Sequence, residues 1–294
     1  MRYGIMAMQM GLLIPSGKTG NDLLSYVMGF DHAALVSQLA DDGFDLIELG
    51  GDLGMFFPQT FFPPAIDALQ KLKKDRSLNY TVHLPLWSVE PSTPQTHVRE
   101  GSTRAVIEII QATMRLEPEC YVLHATGSLA AEFSQMRLPD EGKGLILRLF
   151  QSHALQSLKS ILEETDLPSH KLAIETIEFP FEMTFELAEA LDLSVCLDTG
   201  HVLAGFSGKV ELFDVLEKVL PRLGEIHLHD CPYYAKDGKL GYGKDHQPLG
   251  TGDLDVVRLL KRLEEANYEG PIIFELSSDE AKRSLEYIQS IKKN

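Results

Sequence analysis

Eight short apolar runs, each followed by a stretch of helical periodicity, constrain this 294-residue chain more than any single motif does. The runs are Tyr3–Met8, Asp45–Leu49, Tyr80–Leu84, Cys120–Ala125, Leu172–Thr176, Ser194–Asp198, Glu225–His229 and Pro271–Leu276. Most are continuously apolar rather than alternating, as in parallel strands buried on both faces. Between them lie amphipathic segments at His32–Asp42, Pro64–Lys74, Ser102–Leu116, Gly144–Glu164, Thr184–Leu191, Val210–Leu220, Leu254–Ala266 and Ala281–Lys292. Pro or Gly marks most junctions, among them Gly43, Pro118, Pro168, Pro221 and Gly270. Eight strand–helix units predict an α/β chain folded as a single (β/α)8 barrel, one domain over residues 1–294. A doubly wound open sheet is the alternative. It requires a glycine-rich phosphate loop after the first strand, and Gly4 to Gly17 lacks that form.

The functional signal lies in what ends these strands. Glu48, His83, His124, Glu175, Asp198, His227 and Glu275 each stand near the C-terminal end of a different run, and in a barrel that edge carries the active site. One such residue means little, because a lone imidazole is usually a hydrogen-bonded core residue and a lone strand-end Asp usually caps the next helix. Seven together are harder to dismiss. Isolated buried charges are costly, and imidazoles beside carboxylates suit a divalent cation. A purely structural polar layer is the competing reading. Further candidates flank the strands: His201 lies three residues past Asp198, and His229 alternates with His227, which places both on one side of the seventh strand. The loop from Lys244 to Gly252 adds Asp245 and His246, although alone it reads as a polar turn.

Composition narrows the partners. With 43 acidic against 27 basic residues, the chain carries a net charge of −16. Its densest basic run, Lys71–Arg76, reads as a solvated helix face, so no broad nucleic-acid surface is expected. Three cysteines cannot all pair and have no zinc-knot spacing, which favours a reduced, cytoplasmic setting. The apolar start from Tyr3 to Ile14 is too short to span a bilayer and lacks a signal-peptide cleavage pattern, so no membrane association is expected. Homo-oligomerisation is compatible with all of this.

Taken in strand order, five pieces carry a resemblance: Ile174-Glu175, Asp198-Thr199-Gly200-His201, His227-Leu228-His229-Asp230, the His246 to Gly252 loop and Phe274-Glu275. The chain resembles the xylose-isomerase-like TIM barrels, the superfamily shared by endonuclease IV and many sugar isomerases and epimerases. The resemblance implies a core ligand set of Glu175, Asp198, His227 and Glu275. In the isomerase and epimerase branches this set holds one divalent ion. The endonuclease IV branch adds histidines matched here by His83, His124, His201 and His246, and so implies a three-metal site. One departure stands out: the family places an Asp two residues before the loop His, where this chain has Lys244, and Asp245 directly precedes His246.

The ligand count separates the chemistries. Epimerisation needs one ion to hold two substrate oxygens while paired carboxylates, here Glu175 and Glu275, move a proton on and off carbon. It has no evident use for His83 and His124. Phosphodiester hydrolysis does, because clustered ions neutralise the phosphate and activate a nucleophile near neutral pH. On that reading Glu175 bridges an ion on His83 and His124 and a second on Asp198, His227 and Glu275, while His201 and His246, with Asp245 through a shifted loop, bind a third. Two or three ions are expected for a hydrolase and one for an epimerase. Zinc suits the donors, and manganese, cobalt and iron are admissible.

The substrate is expected to be a small molecule, with Glu48, Trp87, His229, Tyr233 and Lys244 as candidate contacts. The phrases Val82-His83-Leu84-Pro85-Leu86-Trp87-Ser88 and Tyr121-Val122-Leu123-His124-Ala125-Thr126-Gly127 resemble the cobamide-remodelling phosphodiesterase branch. That resemblance implies hydrolysis of the nucleotide-loop phosphodiester of a corrinoid. A sugar or sugar-phosphate isomerase is the alternative, and a non-catalytic ligand-binding barrel a third. The last would be marked by a missing carboxylate on strand five or eight, and both are present.

Overall fold

A computed structural model describes residues 1–7 and 19–293. The strands are β1 (Arg2–Met6), β2 (Leu46–Gly50), β3 (Asn79–His83), β4 (Tyr121–Leu123), β5 (Leu172–Glu175), β6 (Ser194–Asp198), β7 (Leu223–His227) and β8 (Pro271–Phe274). Each pairs in parallel with its sequence neighbours, and β8 returns to β1 to close the barrel. The expected (β/α)8 barrel is therefore the observed fold. Met8, the last residue of the first anticipated strand, lies outside the described residues, as does most of the Gly4 to Gly17 segment.

The largest boundary difference is at β7, which starts and ends two residues earlier than the apolar run suggests. Gly224 reads as a strand breaker, but a Cβ there would come within 2.7 Å of Ser194 Cβ on β6, so the glycine permits close pairing instead. β4 and β8 end before His124 and Glu275, which leave the sheet at the mouth of the barrel.

Around the strands run the helices His32–Asp41, Pro63–Arg76, Thr96–Thr113, Asp140–Thr165, Phe181–Leu191, Leu212–Val219, Val256–Glu265 and Ser278–Lys293. Several begin earlier than the apolar periodicity indicates. The first turn of Thr96–Thr113 is mostly solvent-exposed and polar, so it carries no amphipathic signal. Gly20–Met28, Leu53–Phe56, Ser128–Gln135 and Thr199–Leu203 are further helices inside the connections, all near the C-terminal edge. Among the described residues no helix is long and apolar enough to cross a membrane. Cys120, Cys196 and Cys231 are free and buried.

Alternation along each strand sorts side chains into two environments. Ile47, Leu49, Val82, Leu123, Ile174, Leu197, Ile226 and Phe274 join the main apolar core between barrel and helices. The intervening residues point into the barrel, where Met6, Leu46 and Ile273 form one small plug and Cys120, Val122, Ala173 and Cys196 another. Glu48, Thr81, His83, Glu175, Asp198, Glu225 and His227 share that interior.

Candidate metal centre

Glu175 is the hub. It ends β5 with its carboxylate almost wholly buried, and four imidazoles surround it. His83 Nε2 and His124 Nε2 lie 3.1 and 3.0 Å from Oε2, and His227 Nδ1 lies 3.6 Å from the same oxygen. His201 Nδ1 stands 3.0 Å from Oε1.

Asp198, at the end of β6, fills two roles. Its Oδ1 accepts the backbone N–H of His201 at 2.6 Å, which caps the helix Thr199–Leu203. Its Oδ2 faces His201 Nδ1 at 3.3 Å and His227 Nδ1 at 3.8 Å. His227 Nδ1 is also 3.4 Å from Glu275 Oε1, so this one nitrogen is enclosed by three carboxylates.

The loop after β7 is tied down by Asp230. Its buried carboxylate accepts four backbone N–H groups, from Cys231, Leu254, Gly250 and Gly252, each at 2.9 Å. His246 then adopts a left-handed backbone (φ +53°), unusual for a residue with a side chain. Asp245 is turned inward, with Oδ2 2.9 Å from His246 Nδ1 and 3.7 Å from His201 Nε2, whereas Lys244 is exposed. His246 Nε2 reaches Glu275 Oε2 at 3.1 Å.

His229 continues the His227 alternation past the strand end and is wholly buried, stacked on His246 with ring centroids 4.2 Å apart. Its Nδ1 accepts the backbone N–H of His246 at 2.8 Å, so in the neutral ring the proton sits on Nε2, which donates to Asp198 Oδ2 at 2.9 Å. Although His229 lies within reach of His201, His246 and Glu275, both of its nitrogens are engaged, and it orients Asp198. Gly200 makes room for this ring, since a Cβ there would fall 2.1 Å from His229 Nδ1.

The donor set fits divalent ions. Ligand bonds of ~2.0–2.2 Å around a tetrahedral ion separate its donors by about 3.4 Å, and the cross-residue spacings around Glu175 and His227 fall between 3.0 and 3.8 Å. Glu175 Oε1, His201 Nδ1 and His227 Nδ1 are buried and face other donor atoms without hydrogen-bond geometry. His83 Nδ1 donates to the Leu84 carbonyl at 2.9 Å, which leaves Nε2 as the lone-pair donor of the neutral ring. Three groupings emerge: His83, His124 and Glu175; Glu175, Asp198 and His227, with Glu275 at the same nitrogen; and His201, His246 and Glu275, with Asp245 between the two imidazoles.

Protons balance this charge in the metal-free chain. Burial opposes a charged His83, yet Glu175, Glu48 and Glu275 outweigh it and raise the pKa to about 9. His201 rises to about 9 against burial, through Asp198 and Glu175. His246 rises to about 11 against the same penalty, through Asp245 and Glu275. Burial would raise Glu175, but His124 and His227 hold it well below the carboxylate range. Ion binding must therefore displace protons.

Beneath this layer lies a second polar group that strand-end reasoning missed in part. Glu225, two residues before His227 on β7, meets Glu48 from β2 under the imidazole. Glu48 Oε1 is 3.4 Å and Glu225 Oε1 3.7 Å from His227 Nε2, and Thr81 donates to Glu225 at 3.2 Å. Burial, followed by the neighbouring Glu48, pushes Glu225 up to about 8. The same two-residue alternation that linked His229 to His227 would have found it. Glu48 is wholly buried here, below the ligand layer. Of the remaining anticipated contacts, Trp87 stands half-exposed at the rim, edge-on to Phe56, and Tyr233 donates its hydroxyl to Glu211 away from the imidazoles.

Fold and site together define a TIM barrel with a histidine–carboxylate cluster at its catalytic edge. The chain belongs to the xylose isomerase-like TIM barrel family, whose model matches residues 36–293. It is 24% identical to a probable endonuclease 4 of Mycobacterium leprae over 82% of this chain and 90% of that one. It is 22% identical to an uncharacterised protein of Methanocaldococcus jannaschii over 72% and 69% of the two chains. Solved structures of the same fold include endonuclease IV from Thermus thermophilus (TM-score 0.66, 19% identity, covering 100% of this chain and 99% of that one). A D-tagatose 3-epimerase-like protein superposes with a TM-score of 0.70 at 17% identity, covering 100% and 97%.

Proposed function

We propose that this protein is a metal-dependent phosphodiester hydrolase built on one barrel domain. The observation that carries this reading is the placement of His83 and His124 on a single oxygen of Glu175, beyond the set around His227. A one-ion site is already complete with Glu175, Asp198, His227 and Glu275, so the two extra imidazoles supply a second ion with donors. His201, Asp245 and His246 offer a third set. Bound there, divalent ions supply positive charge at phosphoryl oxygens and a nucleophilic water near neutral pH.

The chain's own residues do the rest. Glu175 joins the donor sets, with Oε2 facing His83, His124 and His227 and Oε1 facing His201. His229 and the helix-capping bond hold Asp198 in place, and Glu48 with Glu225 turns His227 Nδ1 toward the cluster. A cavity of about 180 Å³ opens directly beside His124, His201 and Asp245, lined further by Phe206 and Tyr242. A small phosphodiester with planar groups suits it, with Trp87 at the rim. The nucleotide loop of a corrinoid is the specific substrate we propose, on the strength of the Val82–Ser88 and Tyr121–Gly127 phrases.

The second reading, a sugar or sugar-phosphate epimerase, draws on Glu175 and Glu275 flanking His227 Nδ1 at 3.6 and 3.4 Å, which is a one-ion cage with paired carboxylates. Metal analysis of protein purified without chelator, together with turnover of bis(p-nitrophenyl) phosphate before and after chelation, separates the two. Two or three ions per chain and chelator-sensitive hydrolysis are expected. One exchangeable ion and no hydrolysis would transfer the assignment to the epimerase.

A further inference from the structure

A second cavity, of about 280 Å³, lies among the loops that follow β4 to β7. Lys143, Lys209 and Lys239 line it, and no carboxylate does, in a chain where acids outnumber bases 43 to 27. Elsewhere Lys71, Lys218, Lys261, Lys282 and Lys292 pair with acids, whereas Lys74, Lys159 and Lys244 have no ion pair among the described residues. Lys143, Lys209 and Lys239 likewise carry no ion pair and no side-chain hydrogen bond among the described residues. Three lysines on the wall of one cavity, with no carboxylate among its lining residues, give it a positive charge that favours an anion.

Gly205 and Gly238 both take positive φ, at +83° and +63°. A Cβ on Gly238 would fall 2.3 Å from Lys209 Cε, and one on Gly205 would fall 2.6 Å from the Lys239 carbonyl. Side chains at these two positions would therefore displace one lysine and move the segment that carries another.

This cavity adjoins the metal side. Phe206 lines both cavities, and its ring packs against His201 at 5.3 Å and Tyr242 at 4.9 Å. Tyr242 in turn accepts a hydrogen bond from Gln135, which lines the lysine cavity. One aromatic layer thus separates the histidine–carboxylate cluster from the lysines.

We propose that Lys143, Lys209 and Lys239 form an anion subsite that takes a phosphate-type dianion, separate from the phosphodiester assigned to the metal centre. Ammonium point charges suit a phosphate, whereas a carboxylate is better served by an arginine fork, and no arginine lines this cavity. The phosphodiester assigned to the metal centre rests on the hydrolase reading, but the lysine subsite is measurable without it.

The test is titration of inorganic phosphate by calorimetry into metal-loaded and chelated protein. Metal-loaded protein is expected to show an additional component that chelation removes, and the lysine component survives chelation. In K143Q/K209Q/K239Q the surviving component weakens at least about tenfold. A charge-matched control, K71Q/K74Q/K261Q, retains it. Lys209→Gln alone weakens it less than the triple variant does. Absence of the chelator-resistant component in the wild type overturns the proposal, as does equal loss in the control or an unchanged triple variant. Acetate binding as tightly as phosphate overturns the choice of ligand class. Failure of bis(p-nitrophenyl) phosphate hydrolysis in the wild type bears on the hydrolase reading alone.

Discussion

Glu175 and Glu225 are both buried glutamates facing the barrel interior, on strands two apart, yet they hold opposite charge states. Glu175 is ringed by four imidazoles and stays ionised although burial opposes it. Glu225 faces another carboxylate and shares only one nitrogen of His227, so it holds its proton up to about pH 8. Burial alone does not distinguish them. The difference is the number of cationic partners, and it separates a layer of candidate metal ligands from a layer that contacts the far side of His227.

Glu175→Gln should produce the largest effect. Losing the joint ligand is expected to lower phosphodiesterase turnover on the order of 10³–10⁴-fold and to reduce bound metal, while far-UV circular dichroism stays native. Retention of most activity would remove Glu175 from its central role. His83→Ala follows, with one ion fewer per chain by elemental analysis and roughly a hundredfold lower turnover. A one-ion enzyme would keep its stoichiometry unchanged, so this variant probes the two functional readings directly.

Glu48→Gln acts one step further out, through His227 Nε2. It should weaken metal affinity by roughly ten- to a hundredfold, read by competition with a chromophoric chelator, with no loss of fold. Glu225→Gln should be the mildest, because at neutral pH the wild-type group is already uncharged. Its sign is testable in metal-free protein. Between the ordinary carboxylate value of 4.5 and about 8, the folded state keeps this proton and the unfolded state does not. This group therefore makes the wild type lose stability as pH rises through that window, and the glutamine variant escapes the loss. Thermal melts of the two at pH 5 and pH 8 should show the variant gaining relative to the wild type at the higher pH. A relative loss at pH 8 would mean that Glu225 is ionised and supports His227 as an anion.

Much of the ligand layer was legible because strand order and strand ends are local properties. Glu175, Asp198 and His227 end apolar runs, and the barrel brings such ends to one edge. Glu225 was overlooked because it sits inside a run, where an acid reads as an irregularity. Its role appears only when β2 and β7 meet across the interior. His229 shows the reverse: its residue type suggests a ligand or a substrate contact, yet one backbone N–H from the loop settles its tautomer and turns it toward Asp198. Whether Lys244 or Asp245 faces the site was likewise a matter of loop register, decided by the left-handed turn at His246 and by Asp230 gathering four amides.

By itself, the amino-acid order determined the eightfold alternation, the closed parallel barrel it predicts and the identity of the charged residues at its catalytic edge. These follow from hydrophobic period and punctuation, which act over a few residues at a time. The grouping of those residues around Glu175, the buried pair under His227 and the three lysines beyond Phe206 were decided only by the tertiary structure. The first two depend on atoms as far as 179 residues apart in sequence approaching within a few ångströms, and a buried charge takes its protonation and its partners from that enclosure.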